Sequence, residues 1–177
     1  MTRTEQDGEV TLATVDPGDL PAFKAVMEAS FAVAVIEEFG SLPEGSIPSG
    51  SDLDESMTAP GTELLHILCD GQRVGGAVVV IDEATQRNSL DLFFLSPAQH
   101  GRGLGFKAWT AIERRYPVTR VWQTHTPYFE KRNIHFYVNK CGFRIVEFFS
   151  DRHPDPHHPG PSGLPGGGEM FRFEKVM

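Results

Sequence analysis

A mixed α/β fold in a single domain spanning 1–177 is what this chain predicts, and three observations predict it. Apolar positions switch between strand spacing and helical spacing along the whole length, and the order is strand, helix, hairpin strands, helix, strand, helix, two strands. Several hairpin strands precede the one glycine-rich strand-to-helix loop, which argues against a Rossmann-type first βαβ unit. The longest informative apolar run, Phe31 to Ile36, is far shorter than the roughly 20 residues a bilayer-spanning helix needs.

Val10 to Thr14 reads as a short strand, and Asp16-Pro-Gly-Asp-Leu-Pro21 turns the chain into a helix with Asp19 as N-cap and Pro21 in its first turn. Leu20, Phe23, Met27, Phe31 and Val35 give that helix an apolar face through about Phe39. Gly40 to Gly61, rich in Gly, Pro, Ser and acids, is a long connection with room for one short helix around Asp52 to Met57. Glu63 to Cys69 and Val74 to Ile81 flank Asp70-Gly71, a hairpin signal, and Leu90 to Leu95 is a third strand of this group. The loop Ser96 to Gly105 leads into a helix to about Tyr116, which Pro117 ends. Val118 to Thr124 is read as a strand. A helix from about Asn133 to Lys140 follows, with Gly142 at its C′ position. Arg144 to Phe149 and Met170 to Lys175 are the last strands, joined by a Pro/Gly/His tract that takes ten of the chain's 31 Gly and Pro residues between His153 and Gly168.

Charge excludes some partners. The net charge of −8 argues against nucleic acid, which requires a basic footprint. It is unevenly spread, with net −12 over residues 1–70 and +4 over 71–177. Chance and solubility account for such blocks; the sharper reading is that the second half holds an anion and the first faces a cation. The polar, acidic start and the absence of a long apolar run point away from membranes, and two cysteines, Cys69 and Cys141, suit a reducing, cytoplasmic setting.

Chemistry concentrates at the loop between Leu95 and the following helix. Gly101, Gly103 and Gly105 let backbone approach a ligand without Cβ interference, and a helix start presents unpaired N–H groups at the positive end of its dipole. That is a phosphate site, with Arg102 and Lys107 able to add charge. The Gly-Lys-Ser/Thr of a P-loop is missing, and a Rossmann fingerprint belongs to a first βαβ unit. In this context Pro97-Ala-Gln-His-Gly-Arg-Gly-Leu-Gly105 resembles motif A of the GNAT acetyltransferases, Q/R-x-x-G-x-G/A after a strand. Asn133-Ile-His-Phe-Tyr-Val-Asn-Lys-Cys-Gly-Phe143 resembles their second signature, N-x-x-x-F-Y-x-K-x-G-F. Both occur in the order that fold requires.

The resemblance implies a mostly antiparallel twisted sheet, flanked by helices and splayed between strands 90–95 and 118–124, with acetyl-CoA as cosubstrate in the gap and a small-molecule or peptide amine as acceptor. Pantetheine would pair with the backbone of Phe93, Phe94 and Leu95. The pyrophosphate would rest on His100, Gly101, Arg102, Gly103, Leu104 and Gly105, with His100 replacing the family's Q/R, and Asn133 would lie near pantetheine. Aligned on Asn133, Lys140, Gly142 and Phe143, the signature places Tyr137 at the family's Phe and Val138 at its proton-donating tyrosine. Tyr137 is then the candidate acid, its other reading being a packed helix aromatic. Asp91 and His125, the latter taken to follow strand 118–124, are candidate bases, with imidazole titrating in the useful range. His66 and His135 read as packing or surface residues, Trp109 as core. His153-Pro-Asp-Pro-His-His158 lacks the rigid spacing of a zinc site, so no metal is expected and a loop near the acceptor opening or a linker is the reading. The final two strands could pair across a homodimer. A non-catalytic acyl-CoA-binding regulatory module of the same fold is the alternative function.

Overall fold

The computed structural model describes residues 8–41, 54, 57–157 and 168–177. Its strands are β1 (Val10–Thr14), β2 (Thr62–Cys69), β3 (Gln72–Val80), β4 (Arg87–Leu95), β5 (Val121–Pro127), β6 (Arg144–Phe149) and β7 (Met170–Val176). They make one sheet in the order β1-β2-β3-β4-β5-β7-β6. Every neighbouring pair is antiparallel except β4–β5, which is parallel. The helices are α1 (Leu20–Phe39), α2 (Leu104–Arg115) and α3 (Lys131–His135), and α3 runs on into a π turn over Phe136–Lys140. None of the described helices is long and apolar enough to cross a membrane.

Strand alternation divides the core between the two faces of the sheet. Ala77 and Val79 on β3, Leu90 on β4, Trp122 on β5 and Phe173 on β7 point to one face, where Trp109 and Ile112 of α2 and Tyr137 cover them. Val78 and Phe94 point to the other, under Phe23 and Met27 of α1. Gly76 marks the closest approach of α1: a Cβ there would run into the Phe23 and Phe94 rings. Gly76→Ala is therefore expected to destabilise the chain by about 1–3 kcal/mol, the usual penalty of overpacking, read as a lower urea midpoint at unchanged slope.

Several elements differ from the sequence reading in extent. The strand placed at 118–124 lies at Val121–Pro127 instead. Thr119 is buried in the preceding turn, where its hydroxyl donates to the Tyr116 carbonyl at 2.8 Å and accepts from Asn88 Nδ2 at 2.8 Å. Those bonds hold residues 116–119 as a turn and delay the strand. His125 consequently sits within β5 and not in the loop after it. Asp19 ends a short 3₁₀ turn and makes no side-chain cap for α1. Its carboxylate instead accepts from Arg73 Nη2 at 2.6 Å, an ion pair that outcompetes the local amides. The last helix begins at Lys131, two residues before the expected start. Of the short helix expected around Asp52 to Met57, Asp54 and Met57 are helical, and the remainder lies outside the described residues, as do residues 158–167 of the Pro/Gly/His tract.

Candidate functional site

The site begins where two strands part. β4 and β5 pair from Arg87–Val121 to Leu90–Thr124 and no further. Beyond that rung β5 stays hydrogen-bonded to β7 as far as Pro127, while β4 runs on to Leu95 without it. A bulge sits at the same level: Val79 faces Leu90 and Val78 faces Leu92, leaving Asp91 as the additional residue. A bulge kinks its strand and raises its twist, which drives β4 away from β5. Backbone groups of Asp91 to Leu95 are thereby turned to an opening with no β5 partner.

The loop after β4 supplies the anion-binding end of that opening. Gly101 and Gly103 adopt positive φ of 77° and 71°, and open space surrounds the position a Cβ would take at each. Gly103 is the N-cap of α2 and no side chain caps the helix. The N–H groups from Gly103 to Phe106 thus lack intrahelical acceptors and carry the positive end of the dipole. His100 straps the loop to the strand: its Nε2 lies 3.0 Å from the Leu95 carbonyl oxygen, and Arg132 Nη1 lies 3.0 Å from its Nδ1. That pattern fits a ring with hydrogen on Nε2, donating to Leu95 and accepting from Arg132.

These parts border a cleft of about 750 Å³. Phe93, Phe94 and Leu95 line it from β4, and His100, Gly101, Gly103 and Gly105 from the loop. Phe136 stacks on Phe93 with centroids 5.8 Å apart, and a Cβ at Gly105 would press on the same Phe136 ring at 3.3 Å. Helix α1 closes the far side with Ser30, Glu37 and Glu38, and α3 contributes Lys131, Arg132 and Asn133. Basic side chains (Lys107, Arg132, Lys140) and acidic ones on α1 thus share one cleft.

The expected residues divide into two groups. The strand end, the glycines, His100 and Asn133 come together around the cleft. Arg102 is exposed and its guanidinium donates to the Gln99 side chain; Leu104 is buried beneath the loop. Asp91 and His125 each follow the last paired rung, on β4 and β5 respectively. Asp91 is exposed and accepts from Ser89 Oγ at 2.6 Å. His125 packs on Phe149 and has Asp155 at 3.7 Å from its Nε2. Neither lines the cleft proper. Tyr137 is buried among Phe136, Phe143 and Phe173, does not line the cleft, and hydrogen-bonds Thr124; burial pushes its phenol well above the usual range. The Thr124 hydroxyl in turn donates to the Leu90 carbonyl at 2.8 Å, at the rung where the strands part. Trp109 and His66 are both buried. His135 lies on α3 beside Asn139, with 2.8 Å between its Nδ1 and Asn139 Nδ2.

A π turn lies within the segment on which the second signature was aligned. Cys141 N–H donates to the Phe136 carbonyl five residues back, at 3.0 Å, so this turn holds one residue more than an α turn.

Two residues escaped the sequence reading. Asp155 belongs to the proline-rich tract, and the described part of that tract folds back on β5; its side chain is only 10% exposed, and it also accepts from the His157 N–H at 2.9 Å. Glu130 sits between β5 and α3, lines the cleft, and is 8% exposed. Its carboxylate accepts from Asn133 Nδ2, and burial pushes its pKa up to about 7. The signal for Glu130 was its place three residues ahead of Asn133; nothing local in the sequence reveals that it is buried.

With this geometry in hand, comparison with known proteins is direct. The model of the Acetyltransferase (GNAT) family matches residues 32–143. The uncharacterized protein YrkN of Bacillus subtilis is 49% identical over 180 residues, covering 99% of this chain and 97% of that protein. A GNAT family acetyltransferase from Elizabethkingia anophelis, solved with acetyl-CoA bound, superposes with a TM-score of 0.67 at 15% identity, covering 97% of this chain and all of that one. The spermidine N-acetyltransferase of Vibrio cholerae, solved with CoA and spermine, gives 0.63 at 14% identity, with 95% of each chain covered. Splayed β4 and β5, an uncapped glycine-rich helix start between them and a family match across both signatures agree: the chain belongs to the acetyltransferase (GNAT) family.

Proposed function

We propose that the protein is an N-acetyltransferase that uses acetyl-CoA and acylates the primary amine of a cationic small molecule or peptide. The uncapped, glycine-lined N-terminus of α2 at the mouth of the β4–β5 gap carries this reading. The residues present fit the cosubstrate: unpaired N–H groups from Gly103 to Phe106 suit a pyrophosphate, Lys107 and Lys140 add positive charge, and β4 offers open backbone for an extended amide-bearing arm. The Elizabethkingia enzyme, solved with acetyl-CoA bound, supports the choice of donor.

On the acceptor side the acidic residues of α1, Glu37 and Glu38, border the cleft, and Asp91 and His125 flank the point of strand divergence. An ammonium group entering there meets carboxylates before it reaches the thioester, which raises its local concentration. Asp91 or His125 takes a proton from the ammonium, directly or through water, so that the amine lone pair is free to attack. The spermine-bound relative makes polyamines the first acceptors to try.

The decisive experiment follows free thiol release from acetyl-CoA over a panel of polyamines, aminoglycoside-like compounds, basic peptides, neutral amines and anionic amines. Turnover with cationic acceptors is the expected result. Turnover confined to neutral or anionic amines overturns the acceptor class. Tight acetyl-CoA binding with no thiol release from any amine indicates a regulatory acyl-CoA-binding module. Asp91→Asn or His125→Ala, whichever removes the base, is expected to lower kcat about 100-fold, the lower end of the range for general acid–base groups. If neither changes kcat, the base lies elsewhere.

A further inference from the structure

Acetyl transfer to an amine needs a proton for the departing sulfur as well as a base for the ammonium. Tyr137 is poorly placed to give it. Its ring is enclosed by aromatic neighbours, and its hydroxyl is engaged with Thr124. Glu130 lines the cleft, is buried, and lies near enough to Tyr137 to help raise that phenol's pKa. The turn leaving β5 fixes Glu130: its N–H donates to the Pro127 carbonyl at 3.1 Å, and its own carbonyl accepts from Ile134 at 3.0 Å in the first turn of α3. Its carboxylate is held by Asn133 Nδ2, and no cation pairs with it among the described residues.

A carboxyl group so enclosed pays a desolvation penalty only in its charged form, so it keeps its proton near neutral pH. The charged groups around it do not reverse this. Glu37 and Glu38 of α1, of the same sign as an ionised Glu130, share the cleft. Arg132 is turned to Glu37, at 3.9 Å, and to His100. Lys131 lines the cleft on the same helix, and buried Tyr137, whose own ionisation is disfavoured, carries no charge.

Resting on the acetyltransferase reading, we propose that Glu130 is the acid that protonates the leaving thiolate. The amine nitrogen forms its bond to the acetyl carbon, the carbon–sulfur bond breaks with its electron pair going to sulfur, and the Glu130 O–H proton passes to that sulfur. The proton removed from the ammonium leaves through Asp91 or His125 to water, and water restores the proton on Glu130. One proton leaves nitrogen and one arrives at sulfur, so the reaction balances without an oxidant or metal.

Glu130→Gln keeps the shape and an acceptor for Asn133 but removes the acidic proton. With the intact chain, kcat for thiol release is expected to fall 10- to 100-fold in this variant, while acetyl-CoA affinity by calorimetry changes less than threefold. The wild-type to Glu130→Gln ratio of kcat should fall as pH rises through about 7, because a proton donor is lost on ionisation. A second readout needs no turnover. The native carboxyl has its pKa raised above the unfolded value, so its contribution to stability is present below about 4.5 and is lost as pH rises through about 7. The wild-type Tm should therefore drop more than that of the variant between pH 5 and pH 8. Parallel Tm curves, an unchanged kcat in Glu130→Gln, or a ratio that rises with pH each overturn the assignment alone. Failure of wild-type protein to bind acetyl-CoA overturns the donor reading and this assignment with it.

Discussion

Gly103→Asp is expected to weaken acetyl-CoA binding by about 1,000-fold while leaving the protein folded. At this position the backbone is left-handed, with φ at 71°, a conformation Asp tolerates better than most residues, and open space surrounds the site of its Cβ. The folded state therefore loses little. The added carboxylate would stand at the helix start that the pyrophosphate needs. Two unit charges about 4 Å apart at a protein surface repel by roughly 4 kcal/mol, which corresponds to about a thousandfold in Kd. Gly103→Ala separates conformation from charge: it is expected to weaken binding tenfold or less, from the left-handed penalty alone. Calorimetric titration of both variants with acetyl-CoA checks the pair. Equal affinities for wild type and Gly103→Asp would falsify the placement of phosphate on this loop.

The largest effect on stability is expected from Trp109→Ala, about 3–5 kcal/mol. Trp109 is fully buried, meets Trp122 edge-on at 5.4 Å and Phe143 at 5.1 Å, and carries the Lys175 ammonium 5.7 Å above its ring. It is the residue that joins α2 to β5 and to the segment after the π turn. Truncation to Ala removes the transfer free energy of an indole and leaves a cavity ringed by residues too rigid to fill it. Urea denaturation measures the loss. Trp109→Phe keeps much of the volume and is expected to cost well under half as much. Because α2 also presents the phosphate loop at its other end, acetyl-CoA affinity in Trp109→Phe tests whether the seating of the helix reaches the site. A fold change below two says that the loop is held by its own contacts, His100 to Leu95 and Arg132 to His100.

Much of the cofactor side was legible in the sequence because its physics is local. A positive-φ glycine, an uncapped helix start and a preceding strand are all encoded within Leu90 to Lys107, so neighbours in sequence are neighbours in the site. The bulge at Asp91 was not legible, since it exists only against the register of β3. The strand start at Val121 was misread because β-prone Val118 and Thr119 precede it, and the buried bond between Asn88 and Thr119 overrides that propensity. The π turn was invisible as well, because only the bond from Cys141 N–H to the Phe136 carbonyl reveals it.

By itself, the sequence determined the order of the elements, the glycine-rich anion site, the family and the separation of an acidic first half from a basic second half. Each depends on periodicity, composition or contiguous spacing. Tertiary structure decided which side chains face the cleft and in what protonation state. The Glu130 pKa rises to about 7 because folding strips it of water, Asp155 meets His125 because a distant tract folds back onto β5, and Tyr137 is enclosed because Phe136, Phe143 and Phe173 pack around it. Burial and long-range pairing belong to the folded chain as a whole, and an isolated stretch of sequence has neither.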